Sequence, residues 1–402
     1  MPKQSVKDIS HKDRTVLMRV DFNVPLDADG RIIDDRRIRM AIPTIEHVLK
    51  EGGRLVLMSH LGRPAGDGPE AAFSLKPVAE RLDDLLGKHH GVRFATDCVG
   101  ALARDGVNSI EPGDALVLEN LRFHAGEKKN DPEFAASLAE LADVYVNDAF
   151  GTAHRDHASM VGVPEHMSGK PHVAGLLLIK ELAYLSSAIT EAKAPFYAVL
   201  GGAKVSDKLG AIRYLLDKVD VILVGGAMAY TFLSSQGHVI GKSLVEEDMI
   251  EIAGQLLQAA QDKGKKILLP EDHQCSTSLD DLEGVRNCEL GIPPDCMGLD
   301  IGPETARAWK EEISKAKTVV WNGPLGVFEK PPFDRGSRAV AEGIADATKH
   351  HAVSIVGGGE TAAAIESFDM AKRFSHISTG GGASLKMLEG VSFRSVELLD
   401  EA

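Results

Sequence analysis

Short runs of apolar, often β-branched residues alternate with longer segments of helical periodicity along most of the 402-residue chain. This alternation is typical of parallel sheets wrapped by helices and predicts the α/β class. The predicted strands are 15–20, 54–59, 115–120, 144–148, 196–201, 221–225, 266–270, 318–323 and 353–358. The predicted helices are 37–50, 75–87, 133–142, 205–218, 246–263, 303–314, 335–349 and 361–371.

The length predicts two domains, because 402 residues exceed what one hydrophobic core usually covers. The segment 172–192, HVAGLLLIKELAYLSSAITEA, has apolar residues at helical spacing and separates two blocks of different motifs. We interpret it as a helix that connects the two domains. A helix would couple them mechanically better than a Gly/Ser linker.

Composition excludes several classes of protein. The formal net charge is −14 without a basic tail, whereas nucleic-acid binding rests on clustered Lys and Arg. The four cysteines have no C-x-x-C spacing, which argues against a disulfide scaffold and a zinc ribbon. The chain shows neither a secretory apolar segment at its start nor an apolar run long enough to span a membrane. We therefore expect a cytoplasmic protein with no nucleic-acid or membrane partner.

Arginine and histidine recur in residues 1–170, in runs that follow predicted strands. These runs are RVDFNVP (19–25), SHLGRP (59–64), LENLRFHAGE (118–127) and GTAHRDHAS (151–159). Taken one at a time, such residues usually cap helices or pair on the surface. Ligands of open α/β sheets bind beyond the carboxyl ends of strands, however, so these ends should converge on one crevice. Guanidinium groups there predict a site for a small anion.

Glycine-rich turns follow the strands of residues 195–384. They are AVLGGAKVSDK (198–208), VILVGGAMA (221–229), VVWNGPLGVFE (319–329), SIVGGGETAAA (354–364) and ISTGGGAS (377–384). Glycine turns that open helices bind polyphosphates through backbone N–H groups. Lys204 and Lys208 are four residues apart, which predicts one helix face beside the first turn. Two unlike anion sites on separate domains are typical of a kinase that acts on a small metabolite.

Three motif matches and two other functions compete with this interpretation. Gly357, Gly359 and Ala362 fit G-x-G-x-x-A, but no acidic residue follows a second strand as a nicotinamide-dependent dehydrogenase requires. The segment 236–243 is one residue short of a Walker A loop, and the triplet 154–156 lacks the Asn of a protein-kinase catalytic loop. A nucleotide-binding module without enzymatic activity is the non-enzyme alternative.

Eight of these motifs, in order along essentially the whole chain, closely resemble phosphoglycerate kinase of the bacterial type. The resemblance implies two doubly wound, Rossmann-like parallel-sheet domains joined by a helix. It implies a 3-phosphoglycerate-binding domain (1–171), a connecting helix (172–192), a nucleotide-binding domain (193–384) and a tail (385–402) that returns to the first domain. It also implies a monomer that transfers a phosphoryl group between 1,3-bisphosphoglycerate and ADP, with Mg²⁺, after domain closure.

The resemblance carries functional residues over motif by motif. Substrate contacts are expected at Asp21, Phe22, Asn23, Arg37, His60, Leu61, Gly62, Arg63, Arg122 and Arg155. Nucleotide contacts are expected at Gly201, Gly202, Lys204, Lys208, Gly225, Asn322, Pro324, Glu329, Gly358, Gly359, Glu360 and Thr361. The catalytic groups would be Arg37, Lys204, Gly359 and Gly381, the metal ligand Glu360, and the hinge Ser378, Thr379 and Gly380 to Gly382.

Three positions depart from the family pattern. Glu360 stands where the family usually has Asp, so its carboxylate is one methylene longer and the metal geometry must adjust or a water must intervene. Ala227 replaces a usual Gly near the expected adenine pocket, and Lys386 replaces a common Glu.

Overall fold

The structure, a computed structural model, describes residues 2–402 except the side chain of residue 88. The chain divides into two compact units. The first comprises the residues up to Leu182 together with Ser392–Ala402, and the second comprises Ala183–Val391. No helix within the described residues combines the length and the apolar character needed to cross a membrane.

The first unit contains one parallel sheet with helices on its faces. Its strands are β1 (Thr15–Val20), β2 (Arg54–Met58), β3 (Val92–Ala95), β4 (Ala115–Leu118), β5 (Val144–Asp148) and β6 (His172–Ala174). Its helices are α1 (Arg36–Lys50), α2 (Lys76–Leu86), α3 (Gly100–Ser109), α4 (Ala125–Lys129), α5 (Pro132–Ala139) and α6 (Val163–His166); α7 (Leu176–Thr190) runs across the division between the units. The order β3-β4-β2-β1-β5-β6 places β1 between β2 and β5, and the side chains of β1 are buried on both faces.

The second unit contains a parallel sheet and a smaller antiparallel one. Its strands are β7 (Phe196–Leu200), β8 (Val221–Val224), β9 (Lys266–Leu268), β10 (Asp272–Ser276), β11 (Arg286–Glu289), β12 (Met297–Ile301), β13 (Thr318–Asn322), β14 (Val353–Gly357) and β15 (His376–Ile377). Its helices are α8 (Leu209–Leu215), α9 (Met228–Ser235), α10 (Ile250–Asp262), α11 (Pro303–Ile313), α12 (Arg335–Lys349), α13 (Gly359–Ser367) and α14 (Gly381–Leu388). The parallel order is β15-β14-β13-β7-β8-β9, and β11-β10-β12 form the antiparallel sheet. The predicted α/β class with two parallel sheets is confirmed.

The segment predicted as one helix over 172–192 is in part a strand. His172–Ala174 form β6, which pairs with β5, and the helix begins only at Leu176. Oδ1 of Asp148 accepts the N–H groups of Leu177 (2.9 Å) and Leu178 (3.1 Å). The first turn of α7 is therefore fixed to the end of β5.

The segment predicted as a C-terminal tail, 385–402, divides between the two units. Residues up to 391 pack with the second unit, and the first unit holds the remainder. There α15 (Arg394–Glu397) follows Phe393, the hydroxyl of Ser395 donates to the carbonyl of Ala153 (2.7 Å), and the N–H of Asp400 donates to the carbonyl of His172 (2.8 Å).

Candidate functional site

A cluster of basic side chains lies at the carboxyl ends of the strands in the first unit. Arg122, which follows β4, is only 5% exposed, and its Nε is buried without a hydrogen-bond partner in residues 2–402. Burial, followed by the charges of Arg155 and Arg19, lowers the pKa of Arg122 to about 10. Burial and the charges of Arg19, Arg122, Arg155 and Arg37 hold the pKa of His60 well below its usual range. Mutually repelling cations with an orphaned donor form a favourable site for an anion.

Asp21 and Asn23 stabilise this cluster after β1. Oδ2 of Asp21 pairs with Nη1 of Arg37 at 2.8 Å, which fixes the first turn of α1 beside the end of β1. Oδ1 of Asn23 accepts the N–H of Gly62 (2.8 Å), so Asn23 holds the loop after β2. The Asn23 side-chain amide nitrogen remains as a donor for a substrate oxygen.

The loop from His60 to Arg63 depends on Gly62 and on Asn120. Gly62 has φ +63°, and a Cβ there would collide with the ring of Phe73. The carbonyl of Gly62 accepts Nη1 of Arg122 (2.7 Å). The side chain of the fully buried Asn120 accepts a hydrogen bond from the N–H of Leu61 (3.2 Å) and donates one to its carbonyl (2.7 Å). Sequence reasoning did not identify Asn120, because a polar residue after a strand reads as part of an ordinary turn.

The remaining predicted substrate residues differ in their placement. Phe22 and Leu61 are 0% and 2% exposed and belong to the hydrophobic core, so their side chains support the loops. The N–H of Phe22 is also taken, by the hydroxyl of Ser59 (2.9 Å). Arg63 is exposed on the loop after His60, outside the contacts of the cluster, and Arg155 is half-buried beside Arg122.

A cavity of about 980 Å³ lies in the second unit, at the carboxyl ends of β7, β13 and β14. Eleven predicted residues line it: Gly201, Gly202, Lys204, Lys208, Asn322, Gly358, Gly359, Glu360, Thr361, Gly381 and Gly382. Lys204 is exposed and Lys208 is half-buried. Burial lowers the pKa of Lys208, against the opposing charges of Glu360, Asp207 and Glu389.

The predicted helix face with Lys204 and Lys208 is wrong. Helix α8 begins only at Leu209, and the residues from Ser206 to Lys208 form a turn closed by the N–H of Lys208 on the carbonyl of Val205 (3.0 Å). Both ammonium groups nevertheless line the same cavity. The two lysine side chains face the same cavity because of this turn, and not because of helical periodicity.

Two helix N-termini approach each other in this cavity. Gly358 precedes α13 with φ +95°, and Gly380 precedes α14. A Cβ on Gly381 would lie 3.2 Å from the backbone nitrogen of Gly359, so the chains approach closely because both positions are glycine. The hydroxyl of Thr361 accepts the N–H of Gly323 (2.7 Å), which fixes α13 to the end of β13. The first N–H groups of two helices and their dipoles at this point favour phosphate oxygens.

A second cavity of about 340 Å³ in the same unit has mainly apolar walls. Its apolar lining includes Ala227, Tyr230, Leu244, Leu279, Met297, Leu299, Pro324, Leu325 and Val327, and Gly202, Glu329 and Glu360 also contribute. Such a cavity suits a flat aromatic base. Gly225 lines neither cavity: a Cβ there would meet Leu325, so this glycine permits close packing.

Glu360 is the residue best placed to hold a metal ion. It is exposed, lines both cavities of the second unit and offers the carboxylate oxygens that Mg²⁺ prefers. These properties fit a residue that would hold Mg²⁺ beside a nucleotide. In the part of the chain that the structure describes, two other groups have donor atoms within 4.8 Å of one another, His11–His47–Glu51 and Asp97–Cys98–His124, and neither contains a predicted site residue.

Comparisons with known proteins agree on one family. The family model described as phosphoglycerate kinase matches residues 6–391. The chain is 54% identical over 405 residues to a phosphoglycerate kinase of Rhodopirellula baltica, with 100% of both chains covered, and 51% identical over 403 residues to that of Chloroherpeton thalassium, again with 100% of both. The structure of phosphoglycerate kinase from Coxiella burnetii matches with a TM-score of 0.87 and 39% identity, covering 99% of this chain and 98% of that one. That of Pyrococcus horikoshii matches at 0.84 and 32%, covering 98% of each.

Proposed function

Because the chain belongs to the phosphoglycerate kinase family, it is a phosphotransferase that interconverts 1,3-bisphosphoglycerate and ADP with 3-phosphoglycerate and ATP, and we propose that its two anion sites divide this reaction between them. The basic cluster of the first unit would bind the three-carbon acid. The glycine-lined cavity of the second unit would bind the nucleotide. The observation that carries the proposal is the orphaned, buried Nε of Arg122 amid like charges.

The basic cluster is suited to binding 3-phosphoglycerate because its groups match the substrate's phosphate, carboxyl and hydroxyl groups. Arg122 and Arg155 would provide guanidinium forks for the phosphate, and Arg37, held by Asp21, would be a donor for the carboxyl end. Asp21 and Asn23 supply an acceptor and a donor for the hydroxyl group. Arg63 would extend from its exposed loop position towards the phosphate.

The second unit supports binding of ADP and ATP. The N-termini of α13 and α14, with Lys204 and Lys208, surround a space in which several phosphates can lie. The smaller apolar cavity would take adenine, with Glu329 towards the ribose. Glu360 would hold Mg²⁺, and the ion would supply positive charge that stabilises the transferred phosphoryl group.

The proposed reaction needs no general base. The nucleophile is a carboxylate, which is already deprotonated at neutral pH because such groups titrate near 4. Transfer then depends on in-line positioning and on donors to the equatorial oxygens, supplied by Arg37, Lys204 and the N–H groups at Gly359 and Gly381. Closure of the domains before transfer, which excludes water from the acyl phosphate, is part of this proposal.

Titration calorimetry with each substrate alone tests the division of labour. Arg155→Ala should weaken binding of 3-phosphoglycerate and leave that of MgADP unchanged, and Lys208→Met should do the reverse. Loss of both affinities in either variant would contradict separate sites. We also propose that the enzyme acts as a cytoplasmic monomer, and light scattering across a range of concentrations tests the monomer.

A further inference from the structure

Arg19 is a fully buried arginine in β1 whose guanidinium makes three hydrogen bonds. Its Nε donates to Oγ of Ser159 (2.8 Å), Nη1 donates to the carbonyl of Val20, and Nη2 lies 3.0 Å from Nδ1 of His60. A guanidinium has donors only and no acceptor. Nδ1 of His60 must therefore be the acceptor, and a neutral His60 ring carries its proton on Nε2.

The buried carboxylate of Glu127 fixes the orientation of Arg19 through Ser159. Glu127 is 0% exposed, and it accepts both the hydroxyl (2.7 Å) and the N–H (3.0 Å) of Ser159. The Ser159 hydroxyl thus donates to Glu127 and accepts from Arg19. Burial lowers the pKa of Arg19, and the charge of Glu127 is the largest influence in the opposite direction. The hydrogen bonds from Arg19 to Ser159 and from Ser159 to Glu127 therefore hold the guanidinium in one orientation, and the carboxylate of Glu127 compensates its charge.

The environment also disfavours a charged imidazole. His60 is 3% exposed, and its burial together with the positive charges of four arginines lowers its pKa. These arginines are Arg19, Arg122, Arg155 and Arg37. Arg19, at 0% exposure, cannot reach a ligand in the cluster itself. It acts through His60.

We propose that Arg19 is a positioning residue that selects the Nε2–H tautomer of His60 and so presents an N–H donor to the anionic three-carbon substrate. This inference rests on the proposed function in one respect, namely the contact of His60 with 3-phosphoglycerate. With the opposite tautomer, Nε2 would present a lone pair to an anion. Selection by Arg19 converts that repulsion into a hydrogen bond.

Nitrogen-15 spectra of the histidine side chains in the full chain test the tautomer directly. The His60 signals are assigned by their loss in His60→Gln. We expect a neutral Nε2–H ring at pH 7 in the wild type, loss of that preference in Arg19→Met, and its retention in Arg19→Lys, which keeps a charged donor. A wild-type ring that is Nδ1–H or charged overturns the inference, even if Arg19→Met does not fold. So does an unchanged tautomer in a folded Arg19→Met.

Kinetics then test the effect on the substrate. Arg19→Met should raise the KM for 3-phosphoglycerate about tenfold or more and leave the KM for MgATP unchanged. Arg19→Lys should recover most of the loss, and Arg54→Met, a strand arginine that bonds Thr15 and Asp13, is the matched control. If the tautomer is as expected but His60→Gln leaves the KM for 3-phosphoglycerate unchanged, the substrate contact fails and the tautomer selection stands. An unchanged KM in Arg19→Met together with a raised KM in His60→Gln overturns the positioning role.

Discussion

Nζ of Lys208 donates to Oδ1 of Asn322, while Nδ2 of the same amide is buried without a hydrogen-bond partner in the described chain. Asn322 is 3% exposed and lies at the end of β13. A Cβ on Gly357 or Gly358 would lie 3.2 Å or 3.5 Å from this Nδ2. The two glycines therefore leave space beside an unpaired donor, where a phosphate oxygen would accept a hydrogen bond from Nδ2.

Asn322→Asp should weaken MgADP binding about tenfold or more. The substitution keeps an acceptor for Lys208 but replaces the orphaned donor with a negative charge beside the proposed phosphates. Calorimetry measures the affinity, and Asn287→Asp, an exposed position in the antiparallel sheet, is the matched control. Unchanged MgADP affinity in Asn322→Asp would remove Asn322 from the nucleotide site.

Lys204→Ala should lower kcat by about 100-fold or more while changing the dissociation constants of both substrates much less. Removal of one donor to charge that develops in the transition state has an effect of this size. Lys349→Ala, an exposed lysine at the end of α12, should behave as wild type. Equal losses in kcat and in binding would mean that Lys204 only holds ground-state phosphate.

Arg63→Ala should chiefly raise the KM for 3-phosphoglycerate, by about tenfold, because Arg63 would contribute one charge-assisted contact. Arg63 is exposed and lies outside the close contacts of the basic cluster, so a raised KM would require its side chain to extend to the substrate. Steady-state kinetics with Arg104→Ala, an exposed arginine of α3, provide the comparison. An unchanged KM with normal kcat would refute the assignment.

The free energy of unfolding should contain a component that falls as the pH rises from about 4 to about 7. Burial raises the pKa of Asp148 from 3.8 to about 7. The folded chain then binds this proton more tightly than the unfolded chain, so the stabilisation is complete below pH 4 and is lost as the pH rises through 7. Urea unfolding across this range should give a flatter profile for Asp148→Asn, which keeps an acceptor oxygen for α7. Parallel profiles would contradict the shift.

Except for β3, β6 and β15, the strands of the two parallel sheets could be predicted because their runs are largely apolar, as in TVLMRV and VILVG. The antiparallel sheet could not. Strand β10 reads DHQCS, and its five residues are buried although most are polar, so no periodicity marks it. Strand β3 and helix α3 were missed for a similar reason: VRFA is short and half-exposed, and only Ala103 of α3 is buried.

The candidate site was predictable where chemistry follows a strand end and not where it depends on packing. Lys204 and Lys208 were predicted from a glycine turn, although the helical reason given for them was wrong, and Glu360 was carried over by the family resemblance alone. All three line the same cavity. Arg19 opens the run RVDFNVP but was given no role, because it belongs to the apolar strand that precedes the strand end. Its role emerges only from distances to His60 and Ser159, which lie 41 and 140 residues away in sequence.

Glu360→Gln should reduce the apparent affinity for Mg²⁺ in the kinase assay by about tenfold or more, because it removes the charge of the proposed carboxylate ligand. Glu360→Asp should retain magnesium dependence close to wild type, since it keeps the charge and supplies the residue usual in the family. Glu283→Gln, an exposed glutamate outside both cavities, controls for the loss of one charge. If Gln and Asp at position 360 gave the same magnesium dependence as the wild type, Glu360 would not be the ligand, and the longer side chain would need another explanation.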